Sequence, residues 1–239
     1  MATQAVKTTY RSNTIMAGIF YIVATVAPIS TIFFVGFLGG QIAIEEPIQD
    51  YLTHVFANET QVVLGMFVEF VYTLAIVGII VNLTPILKKH SEVSAHWFYS
   101  LRFIEAICAV IGSIILLTLL PLSQQFVQTV AADAHFVQIL GDVLLAARDW
   151  VFLIGSGLVW SLSALVLNYA LYQSRLVPWW LSVWGFFGAI LSLAAYVSQF
   201  FGFTPLEILW LPIAVQEMVF AVWLIFKGID LSGTSSDTA

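Results

Sequence analysis

The sequence predicts an all-α polytopic membrane protein. It should be a bundle of six transmembrane helices with N- and C-termini cytoplasmic and short amphipathic helices in the outer loops. Three observations carry that prediction. Of the 239 residues, 60% are hydrophobic and only 9% are charged, where a soluble domain carries about 25% charged residues. The apolar residues gather into six runs, each near the ~20 residues that a helix needs to cross a bilayer. Finally, Lys7, Arg11, Lys88, Lys89, Arg175 and Lys227 all fall on the N-terminal side of the membrane in this scheme, and the opposite loops hold no Lys or Arg. Positive charge accumulates on the cytoplasmic side, so that side is assigned to both termini.

Residues 1–13 read as a polar cytoplasmic segment, residues 14–228 as the six-helix domain and residues 229–239 as a disordered tail. Span one is expected from Thr14 to Leu38. A signal peptide competes for this stretch, but the run exceeds the 7–15 residues of a signal core, and no small-residue cleavage site closes it. The loop from Gly39 to Glu59 is acidic. In it, Pro47 can open a short helix, and Ile48, Tyr51, Leu52, Val55 and Phe56 follow at helical spacing. That pattern suits an interfacial helix that lies on the membrane or caps the bundle.

Span two is expected from Gln61 to Leu87, ended by Pro85 and Lys88-Lys89-His90, and span three from Trp97 to Leu122. The connection from Pro121 to Asp142 has room for a second surface helix. Span four then runs from Gly141 to Leu171; in it Asp149, Ser156 and Ser163 recur every seven residues, beside Gly155 and Gly157. Such a seam of small residues lets another helix approach closely. Pro178 starts span five, with Trp179, Trp180 and Trp184 at its mouth as an aromatic belt. Span six, from Leu206 to Phe226, contains Pro212, which is expected to kink it and widen the bundle there.

Several function classes are excluded. With a net charge of −6 and no basic patch, nucleic acid is not expected as a partner. The single cysteine, Cys108, rules out an intrachain disulfide and a multi-cysteine metal site. No P-loop, dinucleotide fingerprint, zincin helix or nucleophile elbow is present. The four histidines sit in loops or at helix ends, which disfavours haem held across the bundle. No metal and no cofactor is expected.

The informative residues are the charges inside apolar runs, because each costs about 2.5–3.5 kcal/mol to insert at a helix centre. Arg102 and Glu105 are three apart and share one helix face. Glu69 falls about 10 Å below the outer edge of span two and Glu217 roughly 13 Å below that of span six, at ~1.5 Å per residue. Arg148 and Asp149 fall about 6 Å inside the outer edge of span four. Neither Glu69 nor Glu217 has a cation at helical spacing on its own span. Each must find an arginine on a neighbouring helix or carry a proton, and a protonated buried acid is a candidate donor. Glu69 and Glu217 are therefore the candidate catalytic acids. Arg102, Glu105, Arg148, Asp149, Tyr72 and Gln216 are the candidate ligand-binding groups. Tyr72, Phe103, Trp150, Trp160, Tyr196 and Trp210 are candidates to line a pocket.

Four segments together carry a resemblance. They are Leu101 to Ala106, Ala146 to Trp150, Leu171 to Pro178 with Trp180 to Gly185, and Leu211-Pro212-Ile213 with Gln216-Glu217-Met218 through to Gly228. The set resembles a large bacterial family of six-span membrane proteins catalogued as a domain of unknown function. The resemblance covers nearly the whole chain and implies the cytoplasmic (inner) membrane of a prokaryote. It carries no mechanism. The family's recurring charges correspond to Arg102, Glu105, Arg148 and Glu217. Asp149 stands where the family usually has glutamate.

The leading functional reading is a membrane protein whose acidic and arginine site binds a small amphiphilic or lipid-like ligand from the outer half of the bilayer. A membrane-embedded acid–base enzyme, of isomerase or terpene-cyclase type, is the alternative, followed by a proton-coupled transporter subunit and a structural membrane protein. The partners expected are the lipid bilayer, a small amphiphile and a second copy of the chain as a homodimer.

Overall fold

A computed structural model describes residues 2–36, 50–128, 131–204 and 207–229. Helix α1 spans Ala2–Val35, the short α2 Tyr51–Ala57, α3 Glu59–Lys88 and α4 Glu92–Gln128. Helix α5, Ala131–Phe152, passes through a π-helical stretch at Leu153–Val159 into α6, Trp160–Ser174. Helix α7 spans Trp179–Phe200. A 3₁₀ turn at Glu207–Trp210 leads into α8, Leu211–Phe226. Among the described residues, six runs are long and apolar enough to cross a membrane: Tyr10–Val35, Glu59–Lys88, Glu92–Gln128, Ala134–Ser174, Trp179–Phe200 and Ile208–Phe226. Helices suit that solvent because each satisfies its own backbone hydrogen bonds where no water can.

Several boundaries depart from the sequence reading. The polar N-terminal segment is helical and continuous with span one. Span two ends at Lys88, one residue past the expected Leu87, with Pro85 inside the helix, whereas span three runs on past the expected Leu122 to Gln128, with Pro121 inside it. Each proline forfeits one backbone bond, a loss that membrane helices tolerate. The connection expected to hold a second surface helix is taken up by α4 and α5 themselves. Among the described residues one short helix outside the spans remains, α2. The expected start at Pro47 lies outside the described residues, as do 230–239 of the predicted tail. Pro212 also differs from expectation. It sits in the first turn of α8, where its missing N–H has no helical acceptor to serve, so it opens the helix rather than kinking it.

The molecule is apolar outside, with Phe33, Phe67 and Phe187 each more than 60% exposed. Inside, small residues set the helix spacing. The α-carbon of Gly18 in α1 lies so close to α8 that a methyl group there would come within 2.6 Å of the Ala221 carbonyl oxygen. Gly78 of α3 lies under the ring of Phe20. One core, built around Tyr21, Phe98, Leu171, Leu181 and Phe220, fills the end of the bundle near the termini. There Arg11 donates to the last carbonyls of α8, those of Leu224 (3.2 Å), Ile225 (2.6 Å) and Phe226 (3.1 Å). A helix C-terminus leaves such carbonyls without partners, and the contact puts the start of α1 beside the end of α8.

A second core closes the opposite end. Helix α2 buries Tyr51, Leu52 and Val55 against Val62, Met66, Leu116 and Leu119, and so caps the bundle. The Tyr51 hydroxyl donates to Asp142 Oδ1 at 3.0 Å. Burial and this carboxylate push the Tyr51 hydroxyl pKa well up.

Candidate functional site

Between the two cores lies a cavity of about 330 Å³, at the lower end of the range for small-molecule sites. Its floor is an ion network centred on Arg102. This residue and Glu105 face inward from one side of α4, 2% and 0% exposed. Arg102 Nη1 lies 3.1 Å from Glu105 Oε2. Its Nη2 lies 3.2 Å from Glu217 Oε1 on α8 and 3.4 Å from the Tyr21 hydroxyl on α1. The rings of Tyr21 and Phe98 stand 5.6 and 5.9 Å from the guanidinium carbon, within cation–π range.

The carboxylates have neutral partners as well. The Tyr72 hydroxyl donates to Glu105 Oε1 at 2.9 Å, and Ser156 lies beside Tyr72. The Trp160 indole lies beside Glu217. Arg102 Nε, also buried, makes no hydrogen bond among the described residues. Pairing of this kind offsets part of the cost of burying such groups in a low-dielectric interior.

A second tier lines the cavity above this floor. Glu69 on α3 accepts a 2.7 Å hydrogen bond from Ser113 on α4. Arg148 on α5 is 4% exposed, lies 3.3 Å from Asp149 Oδ1 and acts electrostatically on Glu69. The walls are mostly apolar and aromatic, with Tyr72, Trp160, Tyr196 and Trp210 among them. Tyr196 and Trp210 stack at 5.1 Å and 16°.

The π-helical stretch shapes one wall. Its i→i+5 bonding inserts an extra residue per turn, a device frequent at functional sites, and it carries Ser156 to the cavity. The flanking glycines allow close contact. Gly155 presses against Cys108 of α4, and a methyl group on Gly157 would come 2.7 Å from the Tyr196 ring. The small-residue seam of span four is thus a real contact surface, although the π-helical stretch interrupts its seven-residue register.

Of the candidates picked from sequence, Glu69, Tyr72, Arg102, Glu105, Arg148 and Glu217 all line the one cavity. Two stand apart. Asp149 is not among the lining residues; it pairs with Arg148, which is, and its side chain is 38% exposed. Gln216 is buried on another face of α8, where it donates to Asn168 Oδ1 at 3.3 Å and to the Leu181 carbonyl at 3.2 Å. Among the aromatic candidates, Phe103 and Trp150 point outward, 46% and 52% exposed. Sequence reasoning missed Ser113 and Tyr21. For Tyr21 a signal existed: Tyr21, Thr25 and Pro28 recur at helical spacing in span one, and all three line the cavity.

Residues 16–228 match the model of DUF4386, a domain of unknown function. The chain belongs to this family. The DUF4386 match begins inside the first span and ends past the sixth, so it takes in every residue that lines the cavity. No curated protein and no solved structure was found that matches the chain.

Proposed function

We propose that the protein binds a small amphiphilic or lipid-like molecule in this cavity, entering from the outer half of the bilayer. The observation that carries the reading is the cavity itself: an aromatic-walled space inside a membrane bundle, with fixed charges gathered at its floor and one side. An apolar chain fits the walls, and a polar end finds hydrogen-bonding groups at Glu69, Arg148 and the network below. We further propose that the basic connections face the cytoplasm of a prokaryote, as positive-inside bias supports. That orientation puts the cavity towards the outer leaflet.

Gly112 supplies the test. It lines the cavity, and a methyl group on it would meet nothing within 4 Å, so Gly112→Trp should fill the space without displacing a helix. Wild type and variant are purified in mild detergent and their retained small molecules extracted and compared by mass spectrometry. A molecule retained by wild type and missing from an equally stable variant is the expected result. Identical extracts from the two would overturn the reading.

An acid–base enzyme is the second reading. What favours it is Glu69, a carboxylate hydrogen-bonded by the neutral Ser113 at an aromatic-walled cavity where an uncharged acid could donate a proton.

A further inference from the structure

The charges around the cavity also constrain the head group of its occupant, given the ligand-binding reading above. Three carboxylates, Glu69, Glu105 and Glu217, line it against two guanidiniums, Arg102 and Arg148. Arg102 is shared between Glu105 at 3.1 Å and Glu217 at 3.2 Å. Arg148 pairs with Asp149 at 3.3 Å. Both cations are therefore engaged by carboxylates before any ligand arrives. Glu69 receives its 2.7 Å hydrogen bond from a neutral hydroxyl, that of Ser113, and feels the field of Arg148, a cation that Asp149 already partly neutralises.

The neutral groups lean the same way. Tyr72, Trp160, Tyr196 and Trp210 line the space, and aromatic faces attract cations, Trp most strongly. Pro28 lies within α1 and has no N–H to offer the Ala24 carbonyl four residues back; both residues line the cavity. A carbonyl dipole relieved of its helical donor is a further acceptor for a cation. An anionic head would add a like charge to this set, in a medium where uncompensated charge is costly.

We propose that the ligand is a cationic amphiphile, with a single ammonium head held by Glu69 between the aromatic walls and an alkyl chain lying against the apolar lining. The head could belong to a free alkyl ammonium compound or to a lipid that carries an ammonium group, and the test separates the two.

The purified protein in dodecyl maltoside is titrated calorimetrically with three probes of equal chain length: dodecyltrimethylammonium, dodecylphosphocholine and dodecanoate. The ammonium probe is expected to bind about tenfold or more tightly than dodecanoate, a difference of about 1.4 kcal/mol. Glu69→Gln should remove that advantage, while Glu59→Gln, on the first turn of α3 and away from the cavity, should keep it. Phosphocholine binding that matches the ammonium probe and is equally lost in Glu69→Gln would point to a lipid head as the source. Binding of the ammonium probe alone would point to a free amphiphile. Preference for dodecanoate, or an ammonium preference indifferent to Glu69→Gln, would overturn the proposal and leave the cavity reading standing. If Gly112→Trp changed the binding of no probe, the cavity reading itself would fail.

Discussion

Arg102 joins three helices: its own α4, α8 through Glu217, and α1 through Tyr21. Its removal is therefore expected to be far more costly than a count of contacts suggests. Arg102→Met would leave Glu105 and Glu217 buried beside each other without a cation, and stranded buried charges of this kind cost about 3–5 kcal/mol. Glu69→Gln, by contrast, keeps an acceptor for Ser113 and leaves both Arg102 pairs in place, so its cost should stay within about 1 kcal/mol. Thermal unfolding in detergent should show a large drop for the first variant and a small one for the second; equal drops would contradict the account of the network. The sequence revealed the Arg102–Glu105 pair because their spacing places them on one helix face. It could not reveal that Arg102 also holds Glu217, since that depends on α4 and α8 converging from positions 115 residues apart. Nor could it separate Gln216 from Glu217: adjacent residues on a helix point about 100° apart, and only the packing of α8 decides which of them meets the cavity.

At the scale of elements, the bundle is held by close backbone approaches and opened by irregular helix. Where α1 crosses α8, Gly18 faces a backbone carbonyl that cannot swing aside. Gly18→Ala should force the two helices apart and cost about 1–3 kcal/mol, as overpacking does. Gly112→Ala meets open space and should be neutral or slightly stabilising, because Ala is favoured over Gly in a helix by about 1 kcal/mol. Comparison of the two melting temperatures checks this; a Gly18→Ala protein as stable as wild type would mean the crossing is looser than described. Most elements could be read from their apolar runs, which leave little choice but helix in a bilayer. The π-helical stretch could not, because Leu153 to Val159 is as apolar as the helix on either side. Its signature is only the Gly155-Ser156-Gly157 triplet, which serves helix contact equally well. Pro212 misled for a related reason. The same residue kinks a helix interior and starts a helix, and the 3₁₀ turn ahead of it decides between them.

As a whole molecule, the protein is packed at both ends and chambered between them. The core around Phe98, Leu171 and Phe220 is filled, while the volume between Glu69, Trp160 and Trp210 is not. The six-span plan is legible in composition and length alone, since hydropathy is a property of each segment by itself. A cavity is a property of several segments at once, and no single span announces it. The inward-facing aromatics illustrate the difficulty: Tyr72 and Phe103 look equally suitable in sequence, yet one hydrogen-bonds Glu105 and the other faces outward. The most direct measurement is a cryo-EM reconstruction of the protein in nanodiscs made with native lipid extract. Elongated density between Trp160 and Trp210, with one end at Glu69 and the Arg102–Glu217 pair intact beneath it, is the predicted result. A bundle whose side chains close over that volume, with no density in it, would contradict the claim that the charges serve a ligand.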